Sequence, residues 1–139
     1  MSRSFVALVV EDDPVLQGAM KTHLEAMGFR VVTAFDCRTA IRQLGEQTPD
    51  IISIDLGLPD ESGYELCERI RRDPVMAAVP IVVASERTFP EDMARAEEAG
   101  ANAFMKKPFP MRLLTRCVDS LLTGRMSGSG PWIRRLRWS

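Results

Sequence analysis

The sequence predicts an α/β fold: a doubly wound, five-stranded parallel sheet of (βα)5 design with helices on both faces. Two observations predict it. Five short apolar runs, rich in β-branched residues, alternate with five stretches of helical periodicity. The runs are almost continuously apolar, as strands are when crossover helices cover both of their faces.

The first run, FVALVV (5–10), precedes a helical stretch at 14–27. There Leu16, Met20, Leu24 and Met27 recur at three- and four-residue spacing, Pro14 stands at a helix start and Gly28 just past its end. RVVTA (30–34) leads into a helix over 36–46, and DIISID (50–55) into one over 63–72. PIVVAS (80–85) precedes a helix over 90–99. Pro90, Glu91 and Asp92 make its first turn, where acids face the positive end of the helix dipole, and Gly100 closes it. AFMK (103–106) and a helix over 109–123 complete the set.

The bulk properties narrow the class. A chain of 139 residues holds one domain with a proper core. Its 27% charged and 45% hydrophobic residues suit a soluble protein, and no apolar run reaches the roughly 20 residues of a membrane span. Acids follow the first apolar run and no small-residue cleavage site does, so it does not read as a signal peptide. Cys37, Cys67 and Cys117 are odd in number and far apart, which fits free thiols in a reducing cytoplasm. Residues 1–123 hold all 19 acids and 14 of the 18 basic residues, a net charge of −5, while 124–139 carry +4. A body of that sign is a poor match for duplex DNA, so no direct DNA binding by the body is expected.

Chemistry concentrates at the carboxyl ends of the strands, where open parallel sheets bind ligands. In LVVEDDP (8–14) a buried run meets Glu11, Asp12 and Asp13. The third strand ends in Asp55, the fourth in Ser85, and the fifth leads to Lys107 and Pro108. Carboxylates converging from two strands repel unless a cation sits among them, and hard oxygen donors suit Mg²⁺ or Mn²⁺. Beside such an ion, Asp55 could attack phosphorus and form an aspartyl phosphate. Lys107 and the Ser85 hydroxyl could then stabilise the phosphoryl oxygens. A strand-end carboxylate that caps a helix or pairs with Lys107 is the plainer reading of Asp55.

In sequence, VVEDDP, SIDLGLPDESGYEL with Pro59 and Gly63, PIVVAS and GANAFMKKPF resemble the receiver domains of two-component response regulators, of the chemotaxis-regulator type. Ser85 and Lys107 stand 22 residues apart, as in close relatives, and the likeness runs from about residue 4 to 123. The resemblance implies a flavodoxin-like strand order 2-1-3-4-5, with Asp55 as phosphoacceptor. It implies Mg²⁺ held by Asp12, Glu11, Asp55 and the Gly57 carbonyl, with the longer Glu11 acting through water. It also implies Ser85 and Lys107 on the phosphoryl group, a cis Lys107–Pro108 bond, and a switch made of Ser85 and Phe104. The implied partners are a sensor histidine kinase or phosphotransfer protein, and a downstream protein met through the face of helix four, strand five and helix five. The implied role is signalling: such a domain catalyses only its own phosphotransfer and slow dephosphorylation.

Some positions depart from the family pattern. Glu11 stands for the commoner Asp, Ser85 for Thr, and Phe104 lacks the hydroxyl of a tyrosine. Gly57 and Arg87 occupy two positions that tune dephosphorylation in the family. Asn102-Ala103 replaces an acidic pair common in relatives that dimerise through that face. Asp13 reads as a helix N-cap, His23 as a partly exposed helix residue, and ERIRRD (68–73) as a solvated helix face. Lys106 points away from the side of Lys107 by the period of two. The tail at 124–139 carries SGSGP (127–131) and then basic and aromatic residues; it reads as a frayed end, with a segment that docks on a partner, an acidic membrane surface or nucleic acid, a linker to an output domain, or vector-derived sequence as the alternatives, and no partner is assigned. Two rival functions remain. A phosphorylation-independent docking module would bind its partner equally well with Asp55→Asn, whereas an aspartyl-phosphate phosphohydrolase wants Asp where Gly57 stands.

Overall fold

The structure, a computed structural model, describes residues 4–124. The tail from residue 125 onward, and with it the reading of that segment, lies outside the described residues. Ten elements alternate: β1 (Val6–Val10), α1 (Pro14–Ala26), β2 (Arg30–Ala34), α2 (Cys37–Glu46), β3 (Ile51–Asp55), α3 (Gly63–Arg72), β4 (Ile81–Ser85), α4 (Pro90–Ala99), β5 (Ala103–Lys106) and α5 (Met111–Thr123). The strands form one parallel sheet in the order β2-β1-β3-β4-β5, as the resemblance implies. The order reverses between β1 and β3, so the crevice of a doubly wound sheet opens at their carboxyl ends.

Strand alternation divides the core in two. Leu8, Val10, Ile52, Ile54 and Val83 face the side covered by α2, α3 and α4. Ala7, Val9, Ile51, Val82 and Met105 face α1 and α5. β3 and β4 are buried at every position, which explains why their sequences are apolar, Ser53 apart, up to the functional end. The three cysteines are buried free thiols, and burial pushes each up to about 12.

Local chemistry fixes the element ends. The Asp13 carboxylate accepts from Val15 N at 3.0 Å, and Gly28 (φ 101°) follows the C-cap of α1. Helix α5 begins at Met111, two residues later than the periodicity indicates. Phe109 precedes Pro110, and a residue before proline is driven out of the helical region.

One expectation fails. Arg71 does not belong to a solvated face, because its side chain folds back against the chain. Its Nη1 donates to the Val79 and Ala77 carbonyls at 2.7 and 3.0 Å. Its Nε and Nη2 donate to the Gly100 carbonyl at 3.0 and 2.8 Å, and Nη2 also donates to Asn102 Oδ1 at 2.9 Å. The α3–β4 connection and the α4–β5 turn both leave carbonyls without ladder partners, and one planar guanidinium satisfies them together. Gly100, at φ 107°, leaves room for it: a Cβ there would stand 2.5 Å from Arg71 Cγ.

Candidate functional site

Register sets the site. Val10 pairs with Ile54, Asp55 with Ala84, and Ser85 with Lys106. The residues that end or follow these strands therefore meet at one edge. β1 continues into Glu11, whose amide donates to the Ala34 carbonyl at 3.0 Å. The buried Gln17 side chain donates from α1 to the Glu11 and Ala34 carbonyls at 2.9 and 3.2 Å, pinning the ends of β1 and β2. At the far side, the Lys107 amide donates to the Ser85 carbonyl at 2.9 Å, and the Lys107–Pro108 bond is cis.

Lys107 closes the cluster. Its Nζ lies 2.9 Å from Glu11 Oε1, 3.1 Å from Glu11 Oε2 and 3.2 Å from Asp55 Oδ2. Asp55 is 5% exposed, and its Oδ1 accepts from the Gly57 amide at 3.0 Å. Glu11 is 1% exposed; burial raises its pKa to about 7, against the Lys107 and Asp13 hydrogen bonds that lower it. Burial opposes the Lys107 charge, but Glu11 and Asp55 outweigh it and hold its pKa above the ordinary lysine value. The Ser85 hydroxyl oxygen accepts from the Arg87 amide at 3.0 Å and lines the same cleft as Asp12, Asp55, Gly57, Arg87 and Lys107.

Glu11, Asp12 and Asp55 each offer an oxygen within 4.8 Å of the others. Three carboxylates face a single ammonium, so the cluster carries excess negative charge on hard oxygen donors. That donor set fits a small divalent cation such as Mg²⁺.

The structure thus brings together Glu11, Asp12, Asp55, Gly57, Ser85 and Lys107. Phe104 stands apart. It is 1% exposed and lies in the core with Met93, Ala96 and Ala99 of α4. His23 is on the exposed side of α1, with Nδ1 2.9 Å from the Ala19 carbonyl. Lys106 is exposed, opposite the site. Gln17 escaped the sequence reading, although it left a signal: with Met20 and Leu24 it occupies the buried stripe of α1, where a polar side chain needs a partner. Gly63 belongs to the motif around Asp55 for a steric reason: a Cβ there would stand 2.5 Å from the Asp55 carbonyl oxygen, so only glycine lets α3 start against the end of β3.

Comparison with known proteins agrees with this geometry. The family model described as the response regulator receiver domain matches residues 7–119. The transcriptional regulatory protein KdpE of Mycobacterium tuberculosis is 36% identical over 106 residues, which are 76% of this chain and 46% of KdpE. The transcriptional regulatory protein PhoP of Escherichia coli is 39% identical over 115 residues, 83% of this chain and 51% of PhoP. The chain therefore spans about half the length of the curated relatives it matches. Among solved structures, the signal receiver domain of a histidine kinase from Syntrophus aciditrophicus superposes with a TM-score of 0.80 at 30% identity, covering 91% of this chain and 96% of that one. The chemotaxis response regulator CheY4 of Vibrio cholerae superposes with a TM-score of 0.82 at 25% identity, covering 86% of this chain and all of that one.

Proposed function

Because this chain belongs to the response regulator receiver domain family, we propose that its cleft takes a phosphoryl group onto Asp55 from a phosphohistidine donor. The observation that carries the proposal is the convergence of Asp55, Lys107 and the acidic pair on one strand edge. In the transfer, an Asp55 oxygen forms a bond to phosphorus as the P–N bond to the donor imidazole breaks. The Gly57 amide on Oδ1 fixes the rotation of the carboxylate. Lys107, 3.2 Å from Oδ2, offers a positive charge to the transferring oxygens, and the Ser85 hydroxyl offers a hydrogen bond. Asp12, Asp55 and the Gly57 carbonyl would hold Mg²⁺, with Glu11 acting through water. When bound, the ion supplies charge neutralisation for the phosphoryl oxygens.

A sensor histidine kinase or phosphotransfer protein is the proposed donor. A downstream protein would bind the face of α4, β5 and α5 in a state-dependent way. KdpE and PhoP are named as transcriptional regulatory proteins, so output through DNA remains open to any longer protein that contains this domain. Among the described residues no helix is long and apolar enough to cross a membrane. Membership of the receiver family supports a cytoplasmic setting. Residues 1–123 would be the receiver, with 124–139 outside it.

Incubation with acetyl phosphate, followed by intact mass, tests the proposal. One phosphoryl adduct is expected, dependent on Mg²⁺ and absent from Asp55→Asn. No adduct on the wild type, with no beryllofluoride binding either, would overturn it.

A further inference from the structure

Among the described residues lining the cleft, two are cations: Lys107 and Arg87. Lys107 is fully engaged, with Nζ contacts to both Glu11 oxygens and to Asp55. A phosphoryl group on Asp55 would carry about 1.5 to 2 negative charges where the carboxylate carried one, and would project them into the cleft. A divalent cation would meet that charge on the side of Glu11 and Asp12. On the side of Ser85, Arg87 is the cation available to meet it.

Arg87 is placed to do so. Its amide is tied to the Ser85 hydroxyl oxygen, which anchors the backbone beside the acceptor. Its guanidinium is turned away, toward α4. There Nε lies 3.6 Å from Asp92 Oδ1, and the guanidinium carbon sits 5.5 Å from the centroid of the exposed Phe89 ring. With the Arg87 side chain 72% exposed, these contacts are weak and readily exchanged. Asp92, by contrast, is held. Its Oδ2 accepts from the Phe89 amide at 3.2 Å, and its carbonyl accepts from the Tyr64 hydroxyl of α3 at 3.2 Å. The Tyr64 ring is itself covered by the Arg95 guanidinium at 4.1 Å. In an exchange of partners, Arg87 is the side that moves.

We propose that Arg87 reports the charge state of Asp55 to α4, by leaving Asp92 and Phe89 for the phosphoryl oxygens. Asp92 and the phosphoryl group then compete for one guanidinium, and the start of α4 loses its counter-charge when the phosphoryl wins. The inference rests on Asp55 being the phosphoacceptor.

Competition makes a sign-specific prediction, tested with beryllofluoride, a stable phosphoryl mimic, titrated in Mg²⁺ and followed by fluorine NMR on the full chain. Asp92→Asn keeps an oxygen for the Phe89 amide but removes the charge that holds Arg87. It should tighten beryllofluoride binding several-fold. Arg87→Gln should weaken binding, and in that background Asp92→Asn should have no effect. Thermal unfolding of each variant verifies that the fold is retained. A gain from Asp92→Asn that persists without Arg87, or no gain at all, would overturn the proposal. If bound fluoride is seen and the variants behave independently, this inference alone fails. If the wild type binds none, the phosphoacceptor reading falls and takes this inference with it.

Discussion

Gly63 lies directly on the backbone of Asp55: a methyl in place of its α-hydrogen would stand 2.5 Å from the Asp55 carbonyl oxygen and 2.7 Å from Leu56 Cα. Both neighbours are main chain at the end of the central strand, so neither can step aside as a flexible side chain would. Gly63→Ala should therefore cost about 1–3 kcal/mol by overpacking, although alanine is the better helix former. Gly57→Ala is the control. Its Cβ would meet Asp55 Oδ1 at 3.8 Å, an ordinary contact, and should change stability by no more than about 0.5 kcal/mol. Urea unfolding of the two variants checks the contrast.

Lys107 both neutralises the acidic cluster and occupies it. Lys107→Ala should lower phosphoryl uptake by about a hundredfold, the usual effect of losing one well-placed donor to a developing charge. The same change leaves Glu11 and Asp55 without their ammonium and the cluster with Asp12 more negative, so Mg²⁺ should bind more tightly. Calorimetric Mg²⁺ titration beside an uptake assay would reveal these opposite signs.

Glu11 makes the metal-free protein sensitive to pH. In the folded state its pKa is raised by burial to about 7, against an ordinary value of 4.5. Between those values the folded state keeps a proton that the unfolded chain has released, so stability falls as pH rises, by up to about 3 kcal/mol. Below 4.5 the contribution is complete; above 7 it is lost. Unfolding in chelator across this range should show the slope, and Glu11→Gln should flatten it. Mg²⁺ added at pH 8 should restore stability, because the ion replaces the missing proton.

Arg71 holds the α3–β4 connection and the α4–β5 turn together through carbonyl oxygens rather than an acid. Lysine brings the charge but not the planar fork. Arg71→Lys should still cost at least about 2 kcal/mol, from carbonyls left unpaired. Phosphoryl uptake by the folded variant should be unchanged, since Arg71 does not line the cleft.

Much of this was legible in the sequence because the signals are local. Buried strands read as apolar runs, Asp13 and Gly28 punctuate α1, and residues at strand ends are brought to one edge by the topology. What escaped depends on contacts distant in sequence. Arg71 reads as one charge in a charged run, and nothing nearby shows that carbonyls at 77, 79 and 100 await it. The role of Gly63 is set by how closely α3 approaches β3, a distance that only the fold supplies. Met111 rather than residue 109 as the start of α5 is a different case: the rule was present in Pro110 and was outweighed by the periodicity.

The most direct measurement is chemical identification of the modified side chain. The protein is incubated with acetyl phosphate and Mg²⁺, then reduced with borohydride, which converts an aspartyl phosphate to homoserine. Peptide mass analysis reads the residue that carried the group. Homoserine at position 55, absent without Mg²⁺, is the predicted result. A phosphoryl group found on His23 or another side chain, with Asp55 intact, would contradict the account.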